Sequence, residues 1–282
     1  MELSFIKTDP TQNMTILVTN AVDPDIRADV AAALMAYEGV CAEQVGFVEW
    51  AAASGAWARL EMAGGEFCGN ATMSLAAYLA WERKLPSDIA NEIPLEASGA
   101  GPVVCGVQAD RGSFLCTLRM PEPERIEERA FSLRGRDYRF WAVYLPGVTH
   151  ILVPYECAGE NPRSFAEEAA ASWAGGIDAD AFGVILYDES SCAIEPLVCV
   201  KKPCTIVWER GCGSGSAAVG AYRASLAGRR THSCVRQPGG VIEVDAEFGE
   251  FGVPGARSVS ITGRVRIVAR GVFFYDQATT AR

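Results

Sequence analysis

The sequence is poor in histidine, in long apolar runs and in clustered basic residues. Its 282 residues include two histidines, and we interpret His150 and His232 as packing or surface residues because neither lies in a ligand-spaced cluster. No apolar run approaches the length of about 18 residues that indicates a membrane-spanning helix. The formal net charge is −10, with 25 basic and 35 acidic residues. This balance argues against nucleic acid and anionic membrane surfaces as partners.

Signals for export and for cofactors are also missing. The N-terminal residues Met1–Lys7 lack the basic start and apolar stretch of a signal peptide. The ten cysteines include no Cys-x-x-Cys pair, and the chain is too long for a small disulfide scaffold, so we expect reduced thiols in a cytoplasmic protein. There is no glycine-rich dinucleotide motif after a strand, no phosphate-binding loop and no lysine in a distinctive pyridoxal context. We therefore expect no cofactor and no metal.

Most of the chain has the pattern of short strands. These segments are rich in Val, Ile, Phe and Leu and are separated by Gly, Pro, Asp and Asn. The predicted strands are Leu3–Lys7, Met14–Val18, Val45–Glu49, Trp57–Met62, Val103–Gln108, Phe114–Met120, Tyr138–Tyr144, Thr149–Val153, Gly183–Tyr187, Pro196–Val200, Thr205–Trp208, Val241–Val244, Arg264–Ala269 and Val272–Tyr275. The predicted helices are Asp25–Tyr37, Ala71–Trp81, Arg163–Trp173 and Gly215–Leu226.

Two of the four predicted helices are almost uncharged. Ala71–Trp81 carries no charge, and Gly215–Leu226 carries only Arg223. A helix that is apolar on all sides is usually buried, and small residues let neighbouring backbone approach it closely. We therefore expect each of these helices to be surrounded by strands.

The segment Met120–Arg125 divides the chain. Its two prolines and three charges interrupt the strand pattern and indicate a linker. The sequence thus predicts an α+β fold of two pseudo-symmetric halves, each a curved β-sheet wrapped around a central helix. The predicted halves are 1–122, completed by the C-terminal strands 265–282, and 123–264.

Each uncharged helix is preceded by a Cys-Gly motif. Cys68 and Cys212 precede the two predicted helix starts, where unpaired N–H groups and the helix dipole lower a thiol pKa. The same N–H groups bind anions, and small residues allow a carboxylate to approach the backbone. The predicted carboxylate-binding residues are Gly69, Asn70, Gly213, Ser214 and Gly215.

Two such thiols suit proton transfer at the α-carbon of an amino acid. Removing the α-proton places negative charge on the carboxylate, which aimed N–H donors stabilise. One thiolate would take this proton and the other thiol would return one to the opposite face. We therefore assign Cys68 and Cys212 as acid and base. Two alternatives to this assignment stay open. Each cysteine is a small buried apolar residue, or the two thiols are redox-active and form a disulfide under oxidation.

Several unbroken blocks of sequence point to a known family. The blocks are Asn13–Val18, Cys41–Phe47, Glu66–Ser74, Cys212–Ser216 and Gln237–Gly240. Over essentially its whole length the chain resembles the diaminopimelate epimerase-like superfamily, and within it the histidine racemases of opine-type metallophore biosynthesis. The resemblance implies a cofactor-independent, two-cysteine racemase of histidine that forms a homodimer. It leaves open which cysteine deprotonates the L-isomer.

Departures from the diaminopimelate epimerases bear on the substrate. Here Glu209-Arg210 is followed by Gly211 and then Cys212, so a loop of those enzymes is shortened. Their Gly-Asn-Pro-His stretch corresponds to Gly147-Val148-Thr149-His150, which lacks the asparagine. Because Arg210 matches the epimerase pattern, a diaminopimelate epimerase or a racemase of another amino acid stays an alternative. A second is a small-molecule-binding or thiol-redox relative without racemase activity.

Other residues are expected to bind substrate. By resemblance Asn13 binds the substrate, although an asparagine before a strand also forms turns. Glu43 lies in a block specific to the histidine branch, where a carboxylate can pair with imidazole, or it is a solvated loop residue. Glu209 orients the second motif or the substrate amino group, or is an exposed carboxylate. Asn70 and Ser214 can also cap the helices.

Overall fold

The structure, a computed structural model, divides the chain into two compact units. It describes residues 1–50, 55–179, 181–200, 205–249 and 257–276. One unit comprises Met1–Arg119 and the described residues from Thr262 onwards, and the other comprises Met120–Ile261. Residues 277–282, which we predicted to belong to the first half, lie outside the described ranges. None of the described helices reaches the length and hydropathy needed to cross a bilayer.

The first unit is a ring of strands around one helix. Its strands are β1 (Glu2–Pro10), β2 (Thr15–Val18), β3 (Gln44–Glu49), β4 (Arg59–Met62), β5 (Asn91–Ala97), β6 (Gly101–Asp110) and β7 (Ser113–Arg119). Its helices are α1 (Arg27–Met35), preceded by a 3-10 turn at Pro24–Ile26, and α2 (Gly69–Glu82). The strands β1 to β7 follow one another in sequence order, and the last strand of the chain, introduced below, pairs with both β7 and β1. This pairing closes the ring.

The helix α2 is buried because it carries no charged side chain over most of its length. All residues from Gly69 to Ala80 are buried, and the helix contacts each of the strands β1 to β7. Its polar side chains find partners inside the ring, as where Thr8 Oγ1 donates to Ser74 Oγ at 2.9 Å. The surrounding strands therefore fix where the first turn of α2 begins.

The second unit has a sheet with two helices packed on it. Its strands are β8 (Arg125–Leu133), β9 (Arg136–Leu145), β10 (Val148–Pro154), β11 (Ala181–Asp188), β12 (Ala193–Val200), β13 (Thr205–Trp208), β14 (Thr231–Gln237), β15 (Gly240–Ala246) and the start of β16 (Val259–Phe274). Its helices are α3 (Pro162–Trp173) and α4 (Gly213–Ala227), with 3-10 turns at Tyr155–Cys157 and Ala174–Gly176. The strand order is β15-β14-β12-β11-β10-β9-β8, and β13 pairs with β12. The helix α4 contacts β9, β10, β14 and β15, whereas α3 contacts β8, β11 and β12.

Small residues let the sheet approach α4 closely. A Cβ at Gly220 would lie 2.3 Å from Val244 Cγ1 on β15, so any side chain at this position would push the strand away. The helix ends at Gly228, which adopts the left-handed conformation (φ 62°) that glycine tolerates best. This packing agrees with the expectation that the small residues of this helix allow a close approach.

The predicted α+β fold class is confirmed, while the sequence reading missed three strands and divided a fourth. The strands β5, β8 and β14 were not predicted, because β5 contains Pro94 and the other two carry charged residues on an exposed face. The two C-terminal segments predicted as separate strands form one continuous β16. Its Gly271 lies within the strand, and the ring of Phe5 packs where a side chain at this position would stand, with Cζ 3.0 Å from the place that a Cβ would occupy.

Candidate active site

The structure distributes the predicted site residues over the two units. The first unit carries Asn13, Glu43, Cys68, Gly69 and Asn70, and the second carries Glu209, Cys212, Gly213, Ser214 and Gly215. Each cysteine lies at the N-terminus of the central helix of its unit. The local surroundings of the two thiols can therefore be compared directly.

Cys68 is the N-cap residue of α2. Its backbone is extended (φ −123°, ψ 109°), and its sulfur accepts a hydrogen bond from the N–H of Ala71 at 3.3 Å. Its carbonyl accepts from Thr72 twice, from the N–H at 3.0 Å and from Oγ1 at 2.8 Å. A thiol here takes the place of the serine or aspartate oxygen that usually caps a helix.

Cys212 repeats this arrangement at α4. Its backbone angles are similar (φ −111°, ψ 108°), and its sulfur accepts from the N–H of Gly215 at 3.3 Å. Its carbonyl accepts from the N–H of Ser216 at 3.0 Å and from Ser216 Oγ at 2.7 Å. The two cysteines thus have the same cap geometry, bond for bond.

Three of the predicted substrate-binding residues of the first unit form one chain of hydrogen bonds. Asn70 Nδ2 donates to Asn13 Oδ1 at 3.1 Å, and Asn13 Nδ2 donates to Glu43 Oε2 at 2.8 Å. Asn13 is fully buried, and the N–H of Glu43 donates to Met14 O at 2.8 Å. The helix start and the Glu43 carboxylate are therefore held in a fixed relation through Asn13.

The electrostatic surroundings of Cys212 differ from the sequence expectation. Burial raises the pKa of the Cys212 thiol well above its usual value, and the charge and hydrogen bond of the Glu209 carboxylate raise it further. The hydroxyl of Ser214 and the N–H of Gly215 act in the opposite direction without cancelling these effects. The helix-start N–H of Gly215 lowers the thiol pKa of Cys212 as expected, but burial and Glu209 outweigh it, so the net pKa is raised and not lowered. The raised pKa favours the protonated thiol of Cys212 near neutral pH, with the Glu209 carboxylate as a neighbouring acceptor.

His150 belongs to the surroundings of this second thiol. Its Nε2 lies 2.9 Å from Ser214 Oγ, which in turn lies 3.6 Å from the sulfur of Cys212. The ring is fully buried, and burial lowers the pKa of His150 to about 4, so the imidazole is neutral near pH 7. The sequence interpretation of His150 as a packing residue is therefore incomplete, since it also bonds to a predicted site residue.

The unpaired nitrogen of His150 indicates its tautomer. Nδ1 has no hydrogen-bond partner among the described residues and faces Gly183, where a Cβ would lie 2.3 Å away. Because a buried N–H without an acceptor is rarer than an unused lone pair, we assign the proton to Nε2. Nε2–H then donates to Ser214, and the Ser214 hydroxyl proton is available to the sulfur of Cys212.

Gln237 holds the backbone of Cys212 in place. Its Oε1 accepts from the N–H of Cys212 at 2.6 Å, and its Nε2 donates to Ser216 Oγ at 2.8 Å. Since Ser216 Oγ donates to the carbonyl of Cys212, the three residues close a ring of hydrogen bonds. No local sequence pattern indicated this role, because Gln237 is 25 residues from Cys212 along the chain.

We expect Gln237→Leu to lower the free energy of unfolding by about 1–3 kcal/mol, because it leaves the buried N–H of Cys212 without an acceptor. Urea denaturation followed by circular dichroism measures the change. Gln108→Leu is the matched control, because Gln108 is exposed on β6, and its effect is expected to stay within about 0.5 kcal/mol. Equal stabilities of the two variants would show that the ring contributes nothing.

The described residues contain no group of three or more His, Cys, Asp or Glu side chains placed to hold a metal ion. The groups at the two helix starts include thiols and a carboxylate, which can act as acids and bases, and amides, which donate and accept hydrogen bonds. Each sulfur accepts a hydrogen bond from a backbone N–H of its helix. A polar side chain also lies within hydrogen-bonding distance of the Cys68 sulfur, and another lies close to the Cys212 sulfur.

Known proteins resemble this chain over nearly its full length. Residues 2–274 match the family described as the histidine racemase CntK N-terminal domain. A histidine racemase of Staphylococcus aureus is 29% identical over 280 residues, which are 97% of this chain and 98% of that protein. A histidine racemase of Fusobacterium nucleatum is 29% identical over 270 residues, covering 94% of this chain and 97% of that protein.

Solved structures share the fold at lower identity. A hydroxyproline epimerase from Agrobacterium vitis aligns with a TM-score of 0.72 and 16% identity, covering 99% of this chain and 94% of that one. A PhzF-family phenazine biosynthesis protein from Bacillus anthracis aligns with a TM-score of 0.68 and 15% identity, covering 98% of this chain and all of that one. At such identities the likeness shows the fold alone.

Proposed function

This chain belongs to the family of the histidine racemase CntK N-terminal domain, and on that premise we propose that it interconverts L- and D-histidine without a cofactor. The enzyme is an isomerase. The observation that carries the proposal is the pair of cysteines with the same cap geometry, one at the central helix of each unit. Two full-length relatives that are named histidine racemases support the choice of substrate.

We propose that Cys68 and Cys212 exchange protons with opposite faces of the α-carbon. The thiolate of one cysteine takes the α-proton, so that a C–H bond breaks and an S–H bond forms. The thiol of the other cysteine gives its proton to the opposite face, so that an S–H bond breaks and a C–H bond forms. The atoms and charges balance without an oxidant, and the two cysteines exchange protonation states at each turnover.

The backbone at the two helix starts supports the negative charge that develops on the substrate carboxylate. Glycine at three of the five predicted carboxylate-binding positions keeps side chains away from the N–H groups. At Gly215, a Cβ would lie 3.1 Å from Cys212 Sγ and 3.3 Å from Ile185 Cδ1, so a larger residue would have to displace these neighbours. The small residues at the helix start thus serve both packing and anion binding.

Glu209 and Ser214 have complementary roles at Cys212. The carboxylate of Glu209 accepts the thiol proton when Cys212 has to become a base. The Ser214 hydroxyl, supported by His150, donates to the thiolate that remains. The raised pKa of Cys212 fits a resting state in which this cysteine is the proton donor.

We assign recognition of the imidazole to Glu43. Its carboxylate is held by Asn13 and can form a charge-assisted hydrogen bond with a ring N–H of the substrate.

We expect Glu43→Gln to raise KM for histidine about tenfold, which corresponds to the loss of a bond of about 1.5 kcal/mol, and to change kcat much less. Steady-state kinetics with both isomers measures this. Glu92→Gln, at an exposed position of β5, is the control, and a pure kcat effect at Glu43 would contradict the assignment.

A diaminopimelate epimerase remains the second candidate from the sequence, and its main support is Arg210. In the structure Arg210 is exposed, and its Nη2 donates to Pro238 O at 3.3 Å, a contact within its own unit. This contact gives Arg210 a role in the loop that needs no second substrate carboxylate. No contact in the described ranges favours diaminopimelate over histidine.

By the same resemblance we propose a cytoplasmic homodimer that supplies D-histidine for an opine-type metallophore. Sedimentation analysis of the purified chain tests the dimer.

The racemase activity itself is tested by incubating the reduced protein with L-histidine, D-histidine and a panel of amino acids that includes diaminopimelate, with no cofactor added. Chiral chromatography should show equal amounts of both histidine isomers from either start. If another amino acid of the panel is racemised and histidine is not, that amino acid is the substrate. No turnover of any amino acid would favour a binding or thiol-redox protein.

A further inference from the structure

The sulfur of Cys68 has a side-chain partner that neither the sequence pattern nor the cap explains. Cys68 Sγ lies 2.6 Å from Gln44 Oε1, so the thiol donates to the amide oxygen. Gln44 is the first residue of β3, where its N–H donates to Met14 O at 3.2 Å and its backbone pairs with Thr15. Among the described residues, its side-chain amide forms no other hydrogen bond.

The partner of the second sulfur has a different chemical character. Cys212 has an acceptor in the carboxylate of Glu209 and a donor in the hydroxyl of Ser214. A carboxylate at working pH only accepts, so a second group has to stabilise the thiolate. At Cys68 one contacting side chain is a carboxamide, which is both an acceptor and a donor.

A carboxamide can follow a change of protonation without moving its backbone. Rotation by 180° about the last side-chain bond exchanges Oε1 and Nε2 at nearly the same positions. With Oε1 towards the sulfur, the amide accepts from a thiol. With Nε2 towards the sulfur, it donates to a thiolate, beside the N–H of Ala71 that already does so.

We propose that Gln44 is a further catalytic residue, whose amide accepts from the Cys68 thiol and, after turning over, donates to the Cys68 thiolate. Gln44 therefore supplies at Cys68 the two kinds of hydrogen bond that Glu209 and Ser214 supply at Cys212, but unlike Glu209 the neutral amide takes no proton. This inference rests on the proposed racemase function. It explains how Cys68 serves as the acid in one direction and as the base in the other.

Acidic residues near Cys68 explain why a neutral side chain suits position 44. Two acidic residues lie on the segments that meet at this sulfur, Glu43 beside Gln44 and Glu66 two residues before Cys68. A neutral amide at position 44 avoids placing a further negative charge against the thiolate, which a carboxylate there would do.

The test compares Gln44→Glu, which keeps the shape and the acceptor but loses the donor, with Gln44→Met, which loses both. Alkylation of Cys68 by iodoacetamide is followed by peptide mass spectrometry between pH 6 and pH 10, with exposed Cys234 as the internal reference. We expect the rate at Cys68 near pH 8 to fall about tenfold in Gln44→Glu and less in Gln44→Met, because the first also adds a charge. Gln108→Glu on β6 is the control and should leave the rate unchanged.

Kinetics supply the second readout. Since the equilibrium constant of a racemisation is one, kcat/KM has to fall equally for the two isomers. We expect kcat to fall more for the isomer that Cys68 deprotonates. Alkylation profiles at Cys68 that coincide in all variants would overturn the proposal, and so would a rise in KM with unchanged kcat. The two proposals fail separately, because alkylation needs no turnover. If the unaltered chain has no racemase activity, the proposed function is refuted. The alkylation profiles still show whether Gln44 affects the Cys68 thiol.

Discussion

Replacing either Cys68 or Cys212 by serine is expected to lower kcat for histidine racemisation by about 10²–10⁴-fold, because a serine hydroxyl is neither an acid nor a base near neutral pH. Both variants should stay folded, since serine is a preferred N-cap residue and can accept the same bonds from Ala71 and Gly215. Chiral chromatography measures the activity, and thermal unfolding by circular dichroism verifies the fold.

The exposed Cys234 provides the control for these variants. Its side chain is exposed, and its sulfur lies 3.8 Å from His232 Nε2, so Cys234→Ser should retain full activity. A two-base enzyme loses racemisation with each substitution at Cys68 and Cys212. If one of the two variants keeps more than about a tenth of the activity, that cysteine is not an acid or base of the reaction.

The second large effect is expected at Gly183, which leaves room for the His150 ring. The two residues pair directly between the parallel strands β10 and β11. An alanine Cβ would lie 2.3 Å from His150 Nδ1 and 3.1 Å from Ile185 Cδ1, so the ring has to move. We expect Gly183→Ala to lower the free energy of unfolding by about 1–3 kcal/mol, as overpacking in a core does. Since the ring then leaves Ser214, kcat should also fall.

Gly106→Ala is the matched control, because Gly106 is also a strand glycine. A Cβ there would meet its nearest atoms, both of Thr117, at 3.8 and 3.9 Å, which is ordinary contact. This variant should be as stable and as active as the unaltered chain. A Gly183→Ala protein that unfolds at the same urea concentration with full kcat would refute both the packing argument and the role of the His150–Ser214 bond.

The sequence was informative where a property belongs to a continuous segment. The lack of charge in α2 and α4 predicted that these helices are buried, and the Cys-Gly motifs predicted where they begin, to within about two residues. The strand β8 was missed because its alternation is masked by charges on the exposed face. The two predicted C-terminal strands merged because glycine at position 271 marks close packing against Phe5 and not a turn.

Contacts between distant residues could not be read from the sequence. Gln44 is 24 residues from Cys68, and His150 is 64 residues from Ser214, so each pair depends on the register of strands around a helix. The pKa of Cys212 was misjudged for a related reason, since the helix start is visible in the sequence but the depth of burial and the position of Glu209 are not. Glutamine and histidine also carry no fixed chemical signal until their partners are known.

The central claim, a two-thiol racemase of histidine, is tested most directly by proton NMR in D2O. The reduced protein is incubated with L-histidine, without cofactor, and the α-proton of each isomer is followed at early times after separation. A thiol carries a single proton that exchanges with solvent, so the account predicts D-histidine that carries deuterium while the remaining L-histidine keeps its α-proton. Deuterium entering both isomers at the same rate would indicate a single base that acts on both faces. An unchanged α-proton signal, with the thiols confirmed reduced, would contradict histidine racemisation altogether.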